Sequence, residues 1–385
     1  MVNRSLFAVQ TSPRRVRRFT VYASAESPRR GLDLLSWSGA GRGLLIGTAR
    51  AGWHAAWLTL MTELAPQSSS GKYTRPPSSL VAREPLPLLS LPAVLHVGAA
   101  CPWCHRVTLT RALLGLNDAS VRLTQLREDA TQGGWVGLRN VCASAHLLCS
   151  SLFCAVSLTR VRLADEAAVP RFAGRATAPL LVDAAGWGVS NDSAQICRLL
   201  DSARLSGVTL RPGALVPAID ALNDRLYTDV NNAVYESGFS TSQGAYDAAQ
   251  SRLWAALSDV ERILSTSRFL LGDTITECDV RLFPTTVRLD AVYGPLFRCS
   301  SFRVADFPSL HAWMRDVYSL PGVAATVDLD ACRRSYFGSL FPLNPSGIVP
   351  SGPTEMSLGL GRDPGRGEVG DAFAARESAA AAGVA

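Results

Sequence analysis

Two cysteines separated by two residues stand in the segment Cys101-Pro102-Trp103-Cys104-His105-Arg106. The apolar run 93–97 before this segment has the length of a buried strand, and residues 107–114 after it have apolar side chains at helical spacing. Cys101 is therefore expected at a helix N-terminus, where unpaired backbone N–H groups and the helix dipole stabilise a thiolate. Arg106 adds positive charge one turn along, as would His105 if it is protonated. The segment predicts a nucleophilic cysteine.

The elements that would position this cysteine follow a thioredoxin-like order. A second strand is expected near residues 121–123, and a third over residues 178–183, where Pro179 marks a strand start, a bulge or a cis turn because proline cannot donate to a sheet. The polar residues 190–193 are expected to cap a helix over 194–200. A strand–CxxC–helix unit followed by these elements is typical of a thioredoxin-like α/β domain, which we place at residues 91–203.

The rest of the chain predicts a second, helical domain and two extensions. Residues 215–345 contain apolar side chains at helical spacing, and Thr276-Glu277-Cys278-Asp279 has the pattern of a helix capping box. Residues 31–90 show no clean periodicity and are interpreted as a linker or arm. Residues 346–385 form a C-terminal extension that we expect to be disordered after Pro353, because it is rich in Gly, Ala and Ser.

The distribution of charge separates a basic leader from a neutral body. The formal net charge is +6, but residues 1–30 alone hold seven arginines and one acid (7 − 1 = +6), so the remainder is neutral (6 − 6 = 0). A nucleic-acid-binding protein would carry its basic patch in the body, so that class is excluded. The leader has the composition of a transit peptide, and residues 21–25 resemble a chloroplast processing site. We expect a chloroplast protein, with another organelle or the cytoplasm as alternatives, and no membrane span.

The nine cysteines favour a reducing compartment, because no secretory signal precedes them. We expect no metal site, since Cys101 and Cys104 have no second close pair to complete a zinc site.

The apolar stretch 136–162 contains no acidic residue and shows no period. It is either a buried insertion or an error in the gene model.

Several motifs together resemble a known family. Cys101-Pro102-Trp103 and Ala178-Pro179 are similar to the cysteine-using classes of glutathione transferases. Four segments of the C-terminal half resemble the signature of the glutathionyl-hydroquinone reductases, or Xi-class glutathione transferases: residues 230–239, 276–283, 288–293 and 344–353. The resemblance covers residues 70–353. It implies the glutathione transferase fold, with a thioredoxin-like domain followed by an all-α domain, and a homodimer.

The resemblance also implies a site residue by residue. Cys101 would be the nucleophile, and Tyr235 and Tyr293 would face an aromatic, quinone-derived substrate. The remaining positions would hold glutathione: Trp103 and Trp135 as walls, Ala178 and the expected cis Pro179 beside the cysteinyl part, and Asp192 and Ser193 at the γ-glutamyl end.

The implied activity is the glutathione-dependent reduction of glutathionyl-hydroquinones through a mixed disulfide, with glutathione as cosubstrate. Two departures keep alternatives open. Cys104 replaces the family's alanine, which would permit a glutaredoxin-like deglutathionylase or a dehydroascorbate reductase with a dithiol. Leu296-Phe297-Arg298 replaces a His-Phe-Lys segment near the quinone end. A non-catalytic, ligand-binding protein of the same fold is a third alternative.

Overall fold

The computed structural model describes residues 40–126, 162–163, 177–203, 205–367 and 372–375. The chain divides into two compact units, Met1–His54 and Ala55–Ala385. Over the described ranges, no helix has both the length and the apolar character needed to cross a membrane.

Three predictions concern residues outside these ranges. They are the transit peptide at residues 1–30, the contact of Trp135 with glutathione, and the nature of the stretch 136–162, of which the structure describes only Arg162.

Helix α1 (Ala40–Leu64) occupies 25 residues of the stretch 31–90 that we interpreted as a linker or arm. This helix was not predicted from the sequence, because its apolar side chains do not gather on one face and no helical period is visible. Leu44 and Trp53, for example, are 73% and 60% exposed. Residues 65–90 after it form no helix or strand apart from an isolated bridge between Gln67 and Tyr73.

A mixed five-stranded sheet has the order β2-β1-β4-β5-β3. Its strands are β1 (Ala93–Gly98), β2 (Val121–Leu126), β3 (Arg162–Leu163), β4 (Leu180–Val182) and β5 (Trp187–Ser190). Strand β1 runs parallel to β2 and antiparallel to β4, which places the fully buried Leu95 opposite Leu123 and Leu181. The strands predicted before the two cysteines, near residue 121 and around residue 180 are confirmed.

Two helices complete this part of the fold, α2 (Pro102–Leu113) and α3 (Ser193–Ser202), and they pack against each other. The Ala178–Pro179 peptide bond before β4 is cis, one of the three conformations that the sequence left open. Asp192 caps helix α3, since its carboxylate accepts the N–H of Gln195 at 2.9 Å. Ser193, considered as a cap from the sequence, is instead the first helical residue.

The second half of the chain is helical, as predicted. Its helices are α4 (Val216–Leu226), α5 (Ala233–Phe239), α6 (Gln243–Leu264), α7 (Glu277–Arg288), α8 (Gly294–Phe297), α9 (Pro308–Ser319) and α10 (Leu329–Ser339). Short helical turns lie at Gly213–Leu215, Tyr227–Asn231, Leu289–Tyr293, Val304–Asp306 and Ala324–Thr326, and those at Tyr227–Asn231 and Leu289–Tyr293 are π-helical. Two short strands, β6 (Val208–Thr209) and β7 (Ala374–Ala375), pair antiparallel.

The capping box that the sequence predicts at the start of α7 is confirmed. The carboxylate of its Asp279 also accepts a hydrogen bond from a second helix, α9. The fully buried Asp279 accepts the N–H of Thr276 at 2.9 Å and that of Leu270 at 3.1 Å. The indole N–H of Trp313 in α9 donates to the same carboxylate at 2.9 Å. One side chain therefore satisfies buried donors from two helices and the loop before α7.

The C-terminal extension is folded over residues 354–367, contrary to the prediction of disorder after Pro353. The His311 ring contacts the carbonyl of Leu358 at 2.8 Å, and Arg366 forms an ion pair with the buried Asp316 at 3.1 Å. The glycines that suggested disorder have positive φ, as at Gly359 (73°) and Gly361 (80°), so they permit tight turns.

We predict that Asp279→Ala lowers the free energy of unfolding by about 3 kcal/mol, because it leaves four buried donors unsatisfied: the N–H groups of Thr276, Leu270 and Trp313, and the Thr276 hydroxyl. Asp328→Ala is the matched control, since Asp328 caps α10 through a single bond to the N–H of Ala331, at an exposed position. Losing that cap should cost only about 1 kcal/mol. Urea unfolding followed by circular dichroism measures both values, and equal losses would contradict the central role assigned to Asp279.

Candidate active site

A cleft of about 450 Å³ opens beside the N-terminus of α2. Its walls come from the segment before β1, from α2, from the turn before β4, from the start of α3 and from helices of the second half. The residues that line it include Arg75, Ser78, Cys101, Trp103, Arg106, Ala178, Pro179, Asp192, Ser193, Tyr227, Tyr235 and Arg281. The cleft therefore brings together most of the site residues that the sequence predicts.

Cys101 occupies the position expected of it, as the N-cap residue of α2 with Pro102 in the first helical position. Proline suits that position because its missing N–H would have no helical partner there. The carbonyl of Cys101 accepts the N–H of His105 at 2.9 Å, and its Sγ lies 4.0 Å from the carbonyl oxygen of Ala178. The thiol thus lies between a helix N-terminus and the cis-proline turn, where the dipole favours its thiolate.

The positive charge near the thiol comes from arginine and not from histidine. His105 is buried, and burial together with the nearby Arg288 holds the pKa of its ring well below the usual range, so it is neutral at pH 7. Arg106 lines the cleft and remains charged at that pH, although burial and the charge of Arg281 lower its pKa to about 9.

Cys104 has a different environment from Cys101. Its Sγ accepts the backbone N–H of Gly98 at 3.3 Å, and the residue is only 1% exposed. Among the described residues, no cysteine other than Cys101 lines the cleft. Burial also raises the pKa of Cys197 and Cys299 to about 12, so neither forms a thiolate at neutral pH.

The residues expected to hold glutathione lie together along one side of the cleft. Asp192 caps α3 with Oδ1, and its Oδ2 accepts the hydroxyl of Ser78 at 3.0 Å. A carboxylate has about four acceptor positions, so this one retains capacity for an ammonium group. Ser193 is buried beside it, and Ala178 presents its carbonyl towards Cys101.

The other side of the cleft is aromatic and carries a cation that the sequence analysis missed. The ring of Trp103 lies 6.2 Å from that of Tyr235 and 6.0 Å from that of Tyr227. The Arg75 guanidinium lies 4.0 Å from the Trp103 ring centroid, within cation–π range. Arg75 belongs to the extended segment before β1. This segment lies within residues 70–353, the range of the family resemblance, and that location is the only sign in the sequence that Arg75 could belong to the site.

The tyrosine hydroxyls are arranged differently from the prediction. The hydroxyl of Tyr235, which lines the cleft, lies 2.6 Å from that of Tyr336 in α10. Tyr293 is fully buried and does not line the cleft, because its ring packs behind Tyr235 at 5.9 Å. Burial raises the pKa of Tyr235 and of Tyr336 well above the usual range, so both remain hydrogen-bond donors. The sequence analysis missed Tyr336, which lies between two of the family-like segments.

Comparison with known proteins agrees with this geometry. The N-terminal domain family of the glutathione S-transferases matches residues 100–203, and the C-terminal domain family matches residues 243–316. The glutathionyl-hydroquinone reductase YqjG of Escherichia coli is 37% identical over 275 residues, which cover 70% of this chain and 82% of YqjG. The chain belongs to the glutathionyl-hydroquinone reductase family of glutathione transferases.

A second relative and a solved structure extend the comparison. PcpF, the glutathionyl-hydroquinone reductase of Sphingobium chlorophenolicum, is 36% identical over 316 residues, which cover 80% of this chain and 96% of PcpF. The glutathione-bound structure of YqjG superposes with a TM-score of 0.58 at 31% identity, covering 75% of this chain and 92% of that one. The fold assigned from the sequence is confirmed.

We predict that Asp192→Ala weakens glutathione binding about tenfold and also lowers Tm, because it removes both a charge and a helix cap. Asp192→Asn separates the two effects, since asparagine caps helices as well as aspartate does. This variant should keep the wild-type Tm and still bind glutathione more weakly. Calorimetric titration with glutathione and thermal unfolding measure both. Wild-type affinity in the asparagine variant would show that the carboxylate charge does not contact the ligand.

Proposed function

We propose that the protein reduces glutathionyl-hydroquinones with glutathione, through a mixed disulfide on Cys101. The observation that carries this proposal is the arrangement of the cleft. A helix N-terminal thiol lies between a side suited to glutathione, at Asp192 and Ser193, and an aromatic side that includes Tyr235. The hydroxyl of Tyr235 bonds to that of the buried Tyr336. The names of the relatives YqjG and PcpF support the same substrate class.

In the first step, the Cys101 thiolate attacks the sulfur that joins glutathione to the aromatic ring. The bond between that sulfur and the ring carbon breaks, the ring carbon takes up a proton, and Cys101 is left as a mixed disulfide with glutathione. Tyr235 lines the cleft, and we propose that its hydroxyl donates to a ring oxygen as negative charge develops there.

In the second step, the thiolate of another glutathione attacks the glutathione sulfur of the mixed disulfide. Oxidised glutathione leaves and the Cys101 thiolate is regenerated. Over both steps, one free glutathione is consumed and the ring carbon is reduced by two electrons. The thiol sulfur of that glutathione and the thioether sulfur of the substrate become the disulfide of oxidised glutathione.

The acidity of Cys101 should matter more for the second step than for the first. Lowering a thiol pKa from ~8.5 by ~3 units raises the thiolate fraction at pH 7 about thirtyfold. With a Brønsted slope of ~0.45, the same change lowers nucleophilicity roughly twentyfold, so attack gains little. A thiol of low pKa leaves faster, and that favours the release of Cys101 from the mixed disulfide.

The sequence Cys101-Pro102-Trp103-Cys104 supports one competing proposal, a dithiol enzyme that acts on protein mixed disulfides or dehydroascorbate. The burial of Cys104 and its bond to Gly98 favour a structural role for this thiol instead. Import into chloroplasts and a homodimer also stay predictions.

One assay separates these functions. The wild type, Cys101→Ser and Cys104→Ser are tested for glutathione-dependent turnover of glutathionyl-menadione, dehydroascorbate and a small glutathione mixed disulfide. We expect glutathionyl-menadione to have the highest kcat/KM, Cys101→Ser to be inactive, and Cys104→Ser to keep most activity. A preference for dehydroascorbate or the mixed disulfide, together with loss of activity in Cys104→Ser, would instead establish a dithiol enzyme. No turnover of any of them would support a ligand-binding protein.

We predict that Tyr336→Phe lowers kcat with glutathionyl-menadione about tenfold or more, because Tyr235 loses its hydroxyl partner at 2.6 Å. Tyr293→Phe is the matched control. The Tyr293 hydroxyl lies 3.4 Å from that of Tyr336, so its loss leaves the Tyr235–Tyr336 bond in place and should change kcat less than threefold. Steady-state kinetics measure both, and the reverse order of effects would restore Tyr293 to the role that the family resemblance implies.

A further inference from the structure

Arg288, the last residue of α7, lies beneath the turn that carries Cys101. It is 2% exposed. Its Nε donates to the carbonyl of Ala100 at 3.3 Å, and its Nη1 contacts Nδ1 of His105 at 2.8 Å and the carbonyl of Pro284 at 2.9 Å. Two of these contacts thus reach the residue before Cys101 and the first turn of the helix that Cys101 caps.

Among the four buried arginines of the described residues, Arg288 and Arg106 pair with no carboxylate, whereas the other two do. Arg281 pairs with Glu277 at 2.5 Å and Arg333 with Asp330 at 2.7 Å. No carboxylate lies within ion-pair distance of Arg288 in the part of the chain that the structure describes. A charge buried without a counter-charge is costly, so its retention calls for an explanation.

The groups that face Arg288 from the surrounding elements are all neutral at pH 7. They are His105 on α2, Tyr235 on α5, Tyr293 on the turn after α7, and Cys332 and Tyr336 on α10. Burial raises the pKa of the Cys332 thiol and of the three tyrosines, and His105 accepts from the guanidinium and stays unprotonated. None of them supplies the missing negative charge.

The Cys101 thiolate can supply it. Cys101 follows directly after Ala100, whose carbonyl is held by Arg288 and also lies 3.9 Å from the Sγ of Cys332. A thiolate at Cys101 would form at the edge of a region whose fixed charge is positive and shielded from water. The field of such a charge is weakened much less than that of an exposed arginine.

We propose that Arg288 is a positioning residue that holds the turn before Cys101 and supplies the buried positive charge that stabilises its thiolate. The proposal rests on the proposed function only in taking Cys101 as the nucleophile. It adds a further source of acidity to the N-terminus of α2 and to Arg106, which lines the cleft.

The test measures the pKa of Cys101 without substrate, from the rate of alkylation by iodoacetamide between pH 5 and 9, with the labelled peptide identified by mass spectrometry. We expect Arg288→Gln to raise this pKa by about one unit. At pH values below the Cys101 pKa of both the wild type and this variant, alkylation of the variant should then be about tenfold slower. Arg288→Lys, which keeps the charge, should restore most of the acidity.

Arg333→Gln is the matched control, since Arg333 is also 2% exposed but pairs with Asp330. It should lower Tm and leave the Cys101 pKa unchanged.

A second pair of variants keeps Arg288 in place, in case its removal prevents folding. Cys332→Asp introduces a carboxylate beside Arg288 and should also raise the Cys101 pKa, whereas the neutral Cys332→Ser should not. An unchanged pKa in folded Arg288→Gln, or in Cys332→Asp if the former does not fold, would overturn the proposal. Both results are read from the Cys101 pKa and not from turnover. An inactive wild type that still has an acidic Cys101 would contradict the proposed function and leave the proposal for Arg288 standing.

Discussion

The first turn of helix α2 is held from several sides, and the active site depends on how it is held. The N–H of Cys101 donates to the carbonyl of Gly98 at 3.2 Å, and the N–H of Gly98 donates to the sulfur of Cys104 at 3.3 Å. Arg288 fixes the carbonyl of Ala100 from below. These contacts fix the backbone of the turn and so the position of Cys101 at the N-terminus of α2.

The segment before β1 provides another wall of the cleft, and side chains at the start of α3 hold it through several hydrogen bonds. Asn191 accepts the N–H of Leu80 at 2.9 Å, Gln195 accepts the N–H of Ala82 at 2.7 Å, and Ser78 donates to Asp192. A segment with almost no secondary structure of its own is thereby fixed beside the glutathione-binding residues. It carries Arg75 to the aromatic side, so the cleft requires residues that lie outside the thioredoxin-like sheet.

The sequence was informative wherever function or capping depends on residue type at a fixed spacing. The position of Cys101 followed from a strand, a cysteine–proline pair and a helical period, and Thr276 with Asp279 identified a helix start. The sequence was less informative where a contact joins distant segments. Nothing local to Tyr336 indicates that its hydroxyl meets that of Tyr235, 101 residues away, and Tyr293 proved to lie behind that pair. Composition alone was misleading for the glycine-rich extension, where positive φ angles build ordered turns.

The central claim is that a single sulfur atom, that of Cys101, carries the glutathionyl group between the two steps. The most direct test mixes the Cys104→Ser variant with one equivalent of glutathionyl-menadione in the absence of free glutathione, and then analyses the intact protein and its peptides by mass spectrometry. The account predicts one released menadiol per chain and one glutathionyl group on the peptide that contains Cys101, removed again by added glutathione. Menadiol release without a protein adduct, or an adduct on a different cysteine, would contradict it.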